Sequence, residues 1–258
     1  MSAKKTSKNS KTSKVLKSYH GTPLVKQEYE FLDALEERLN TPIPLLTQRP
    51  KNLPGVTFGF IADDNHITQL FLEGRHLISM AKQIEDLTEL RELSMDCNEL
   101  KALPASFCEL AKLEILNFNN NDLKSLPEEI GQLKSLKKLI LRSNKLKEIP
   151  SEIGDLKHLQ FLDLDYNYIE DLPESIGELK NLEELFISEN LLSSLPDTIG
   201  NLKKLKVLAL YRNTIKKFPE SITGLDSLET LRIDSQQLLS IPVGMRHMKS
   251  LKNLSYRC

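Results

Sequence analysis

Two carboxylates, Asp163 and Asp165, sit two positions apart in the run Phe161-Leu162-Asp163-Leu164-Asp165-Tyr166-Asn167-Tyr168-Ile169. On an extended strand residues i and i+2 share a face, so the pair could divide general-acid and general-base work. The sequence around them supplies no further acid–base machinery. His20, His66, His76, His158 and His247 are isolated from one another, and Cys97, Cys108 and Cys258 form no CxxC pair. A metal site needs several ligands brought together, and a nucleophilic thiol needs a base beside it. The sequence offers neither, and it has no GxxxxGK[ST] phosphate loop. The expectation is a protein without catalytic residues, metal or cofactor.

The surroundings of the two aspartates explain their spacing. Asn98, Asn121, Asn144, Asn167, Asn190 and Asn213 follow one another at intervals of 23 residues. Around each the same frame recurs, as in Leu136-x-x-Leu139-x-Leu141-x-x-Asn144-x-Leu146-x-x-Ile149-Pro150, then Ile153-Gly154-x-Leu156. The period of two in Leu139-x-Leu141 marks a short strand with one inward face. The asparagine stands where the chain leaves that strand, and its amide can both donate to and accept from exposed backbone groups. Stacked units would make these amides a buried ladder. Proline then opens a helical turn that spaces Ile153 and Leu156 inward. One such unit cannot close its own core, so neighbours must stack, with their strands forming a parallel sheet.

The segments "LKKLILRSNKLKEIPSEIGDL" and "LEELFISENLLSSLPDTIGNL" resemble leucine-rich repeats of the intracellular Ras-group type, found in Scribble-like and Ras-suppressor-like proteins. The resemblance implies an α/β solenoid, a curved horseshoe with a parallel concave sheet and short helical turns on the convex side. It also implies small GTPases, phosphatase subunits or signalling scaffolds as partner classes.

Three regions are expected. Residues 1–21 form a basic disordered tail, in which Lys4, Lys5, Lys8, Lys11, Lys14 and Lys17 stand without any acid. Residues 22–66 hold a capping helix that starts at Thr22-Pro23, a proline-punctuated connector and the first strand of a hairpin. Residues 67–258 are the repeat array. The ends of the array are degenerate: Arg75 replaces the asparagine in the first repeat, and Gln236 takes its position near the other end. The sequence leaves open whether the latter is a cap or precedes a further domain, which would make the array the sensing part of a larger GTPase, kinase or ligase.

With the leucines inward, the residues between them make the concave surface. Phe161, Phe186 and Tyr211 lie on one diagonal, with steps of about 8 Å from strand spacing and rise. Ile140 and Asp165 lie on a neighbouring diagonal; Tyr166 and Tyr168 add aromatics at the rim. Arg142, Arg212 and Arg232 stand near Asp163, Asp165, Glu184 and Glu189. Aromatics rimmed by charge are typical of protein interfaces, although aromatics also fill pleated positions on propensity alone. The arginines and acids serve specificity or simply pair with one another.

The chain is therefore read as a protein-binding platform rather than an enzyme. Its net charge is −1, and no stretch approaches the length of a membrane span. With no apolar signal core and few cysteines, a cytoplasmic setting is expected. The array has no basic stripe for specific nucleic-acid binding; the Lys-rich tail is a solubilising leader or contacts anionic surfaces.

Overall fold

The computed structural model describes residues 16–49, 57–81 and 83–257. A short antiparallel pair, β1 (Leu16–Tyr19) and β2 (Thr22–Val25), leads into α1 (Lys26–Leu39). Then come β3 (Phe58–Asp63) and β4 (His66–Leu72), an antiparallel hairpin. Eight further strands follow: β5 (Glu92–Ser94), β6 (Ile115–Asn117), β7 (Lys138–Ile140), β8 (Phe161–Asp163), β9 (Glu184–Phe186), β10 (Val207–Ala209), β11 (Thr230–Asp234) and β12 (Asn253–Arg257). Strands β3 to β12 form one ten-stranded sheet in sequence order, parallel from β4 onward.

The 23-residue period appears directly as register. Lys138 pairs with Phe161, and Phe161 with Glu184. Within each unit the alternate leucines are inward: Leu139, Leu141, Leu146, Ile153 and Leu156 are fully buried. After each proline the chain makes a five-residue 3-10 turn, such as Ser151–Asp155, and not a longer helix. The proline is the residue before the turn: Pro150 is extended at ψ 149, and its carbonyl accepts the Ile153 N–H at 3.1 Å. The glycines of these turns allow close stacking. A Cβ at Gly200 would lie 2.0 Å from the Ser221 carbonyl oxygen.

The asparagine ladder forms as the spacing requires. Asn167 Nδ2 donates to the carbonyls of Leu141 (3.0 Å), Leu164 (3.0 Å) and Asp165 (3.4 Å), and its Oδ1 accepts the Leu146 N–H at 3.0 Å. Asn98, Asn121, Asn144, Asn190 and Asn213 repeat the pattern. Each amide thus ties one repeat to the previous one and satisfies groups that neither strand nor turn pairs. On the outer surface Lys137–Glu114, Lys206–Glu183 and Lys252–Glu229 link residues one period apart. Such exposed pairs each contribute little.

The N-terminal cap follows the expected plan with two corrections. Residues 16–19, assigned to the disordered tail, form β1, and Tyr19 is buried beside Phe60; residues 1–15 lie outside the described residues. Thr22-Pro23 belongs to β2, and the helix begins at Lys26 behind Val25, which makes no side-chain cap. Pairing β2 with β1 satisfies backbone groups that a helix starting at Thr22 would have had to cap. The helix latches to the array through Glu28, fully buried, which accepts the Ile67 N–H at 2.6 Å and bonds His66 at 2.8 Å.

At the other end the ladder shifts by one residue. Gln236 is exposed; Gln237 is buried, donates to the Ile215 carbonyl and accepts the Asp234 N–H at 3.0 Å. Strand β11 is two residues longer than each of β5 to β10. That extension moves the exit turn, so the amide reaching inward is the next one along. Beyond it, a cavity of about 270 Å³ is lined by Leu238, Ile241, Met245, Arg246, Leu251 and Leu254.

Candidate functional site: the concave face

The residues between the inward leucines share the sheet's other face, and register fixes their neighbours. In the row through Asp163, Ile140 stands on one side and Phe186 on the other. In the row below, Phe161 lies between Lys138 and Glu184. Phe161, Phe186, Ile140, Asp163, Glu184 and Arg232 are all half-buried. The rings of Phe161 and Phe186 lean together to a centroid distance of 5.4 Å at 42°. This is closer than the backbone diagonal, because both side chains tilt across the gap between strands.

Tyr211 is arranged differently: its hydroxyl bonds the Ser255 hydroxyl at 2.6 Å, tying it towards β12. The aromatic contact therefore consists of Phe161 with Phe186, and Tyr211 extends the surface as a tethered neighbour. Tyr166 and Tyr168 are exposed at 44% and 52%. Tyr166 has φ 58, and the same left-handed turn places Cys97, Asn120, Ser143, Glu189 and Arg212 before their ladder asparagines. That geometry throws each of these side chains outward at the rim.

The charges are largely arranged among themselves. Arg142 pairs with Asp165 at 2.8 Å and lies 4.4 Å over the Tyr166 ring; Arg212 pairs with Glu189 at 2.8 Å. Lys138 lies 4.3 Å over Phe161, and Arg232 lies 5.9 Å over Phe186. Phe161, Phe186 and Tyr166 thus each carry a cation on the ring face. Lys138, not singled out from the sequence as a contact residue, is readable from register, one period before Phe161.

The two aspartates differ in use. Asp165 is buried, and its carboxylate also accepts the Ser188 N–H at 2.5 Å. Among the described residues, Asp163 accepts one hydrogen bond, from the Asp165 N–H at 3.0 Å. Burial pushes the Asp163 carboxyl up to about 6, against the lowering effect of that hydrogen bond. Burial also raises Asp165, opposed by the Ser188 N–H and Arg142. No histidine or cysteine enters this arrangement. Cys97 lies at the rim, exposed, and Cys108 is buried in the 3-10 turn Ala105–Glu109, where burial pushes its thiol up to about 12. Such a thiol is a packing group. Among the described residues no three His, Cys, Asp or Glu side chains gather to hold a metal.

One feature escaped the sequence reading altogether. Arg49, from the proline-punctuated connector, reaches over the first repeats, pairs with buried Glu92 at 2.5 Å and lies 5.4 Å over Phe71. Glu73, also buried, accepts the Thr57 N–H and the Ser94 hydroxyl. Arg49 and Thr57 thus meet the concave acids at β4 and β5, and the surface without such contacts begins near β6. The unusual burial of Glu92 needs a cation over it, but its place in the repeat frame does not say which cation comes back.

Comparisons with known proteins agree with this architecture. The family profile described as "Leucine-rich repeat region" matches residues 136–193 and 184–258, and "Leucine rich repeat" matches residues 88–146. A search of curated proteins returns no match. Among solved structures, a leucine-rich-repeat protein of Leptospira interrogans is 38% identical, with a TM-score of 0.56, over 70% of this chain and 52% of that one. The plant peptide hormone receptor RGFR1, solved in complex with RGF2, is 33% identical, with a TM-score of 0.65, over 82% of this chain and 35% of the receptor. The leucine-rich-repeat domain of the type III effector XopL is 25% identical, with a TM-score of 0.58, over 73% of this chain and 76% of that one. The chain thus spans about half the length of the first of these proteins and about a third of the second. No helix among the described residues is long and apolar enough to cross a membrane.

Proposed function

Because the chain belongs to the leucine-rich-repeat proteins, a fold used for protein–protein interaction, we propose that it is a non-catalytic recognition platform. On this reading a partner protein binds its concave face between β6 and β11. The observation that carries the reading is the contacting pair Phe161 and Phe186, half-exposed at the centre of that surface. Aromatic anchors in such positions hold a large share of interface affinity. The surrounding Arg142–Asp165 and Arg212–Glu189 pairs are preformed, which lowers the ordering needed on binding. The repeat frame's likeness to the Ras-group type favours a small GTPase, a phosphatase subunit or another signalling protein as the partner class. The free thiols Cys97 and Cys108 suit a reducing, cytoplasmic setting.

A triple variant, Phe161→Ala, Phe186→Ala and Tyr211→Ala, tests this. None of the three belongs to the fully buried core, so the urea midpoint is expected to stay close to that of the wild type. A specific protein retained from source-cell lysate by the wild type is expected to be lost from the variant. Identical retention by both proteins counts against the concave reading.

A further inference from the structure

The two concave aspartates look alike in sequence and are unlike in the structure. Asp165 is spent internally, on Arg142 and on the Ser188 N–H. Asp163 accepts one backbone N–H, and among the described residues no cationic side chain pairs with it. The nearest cations are engaged elsewhere: Lys138 on the Phe161 ring and Arg142 on Asp165 and the Tyr166 ring. Asp163 is thus a half-buried carboxylate with an oxygen to spare. It opens onto the concave surface between Ile140 and Phe186, with the Phe161 ring beside it.

That combination has a definite chemical complement. A carboxylate walled by rings is poorly hydrated, and it gains from a planar, weakly hydrated cation that can stack and hydrogen-bond together. An ammonium offers no flat face for the rings and gives up more hydration. The wider surface points the same way. From β6 to β11 the concave columns hold four acids, Asp163, Asp165, Glu184 and Asp234, against the bases Lys138, Arg142 and Arg232, and Arg142 is already paired with Asp165. The unpaired acids on this face favour a basic group over an acidic one.

We propose that Asp163, between Phe161 and Phe186, is the subsite for an arginine side chain of the partner protein. The guanidinium meets the free carboxylate oxygen, and its plane takes the place over the rings that Lys138 and Arg232 hold in the free chain. This deepens the concave-face reading and rests on it.

The test uses Nα-acetyl-arginine amide as probe and Nα-acetyl-citrulline amide as its uncharged counterpart, on the full chain, by NMR. With the arginine probe, the Asp163 carboxyl carbon is expected to titrate at a lower midpoint than its free value of about 6, because a docked cation favours the ionised form. The Phe161 and Phe186 ring resonances are expected to move with it. The citrulline probe should leave all three unmoved. Asp163→Asn keeps an acceptor for the Asp165 N–H, so it folds, and it should abolish the ring response to arginine. An unchanged Asp163 midpoint, an equal response to citrulline, or a ring response that survives in Asp163→Asn overturns the proposal. If the subsite fails while the triple ring variant still loses its partner, the concave reading stands and only the arginine assignment falls.

Discussion

Leu141→Ala lowers the unfolding free energy by about 2–5 kcal/mol, because it removes a fully buried side chain from a core that stacked turns hold open. The core here is one continuous cluster, mostly leucine and isoleucine with Phe107, Phe118 and Phe218 among them, that runs the length of the array and is shared between neighbouring repeats. A cavity at Leu141 sits between Leu139, Leu146 and the equivalent Leu164 of the next repeat, all fully buried. The backbone is pinned by the asparagine ladder above and below, so the site cannot collapse to fill the gap. The neighbouring residue is the internal control: Ile140 points to the concave face and is half-buried, so Ile140→Ala loses much less. Urea denaturation of the two variants checks this. Equal losses would mean that the faces of the strand are wrongly assigned.

Asn167→Ala has an effect of comparable size for a different reason. The substitution leaves the buried Leu146 N–H without its acceptor and removes one of two amide donors from each of the Leu141 and Leu164 carbonyls, which keep Asn144 and Asn190. Stranding one buried polar group costs about 1–3 kcal/mol, and here that group is the Leu146 N–H. A loss within that range is therefore expected, with the weakened carbonyl bonds adding to it. Asn167→Asp sharpens the test, since a carboxylate can accept the Leu146 N–H but cannot donate to the carbonyls. Both variants should lower the urea midpoint. An unchanged midpoint in Asn167→Ala would show that water replaces the amide and that the ladder is not structural.

Much of this was legible in the sequence because the physics repeats. Six asparagines at a fixed interval, each between an alternating strand and a proline, leave one workable arrangement, and the register of Lys138, Phe161 and Glu184 follows from it. The same regularity placed Phe161, Phe186, Asp163 and Arg142 on one face. What could not be read was contact made by side-chain choice or by irregular chain. Whether Arg142 pairs with Asp163 or Asp165 depends on which carboxylate the Ser188 N–H already orients. Arg49 arrives through a connector without periodicity, so nothing in the frame links it to Glu92. The shift from Gln236 to Gln237 follows from two extra strand residues in β11, and the period, continued unbroken, points to the wrong amide. Likewise β1 was hidden because Leu16–Tyr19 joins a lysine-rich leader whose composition suggests disorder, while Tyr19 itself is drawn in by Phe60.

The central claim, that a partner protein sits on the concave sheet, is most directly tested by replacing Phe186 with the photoreactive aromatic p-benzoylphenylalanine, which preserves a ring at that position. His158, exposed on the opposite side after a 3-10 turn, receives the same group as the reference. On irradiation in source-cell lysate, the protein retained by the wild type is expected to become covalently attached through position 186 and not through position 158. Attachment through 158 alone, or equally through both, would contradict a concave site and move the interface to the convex turns.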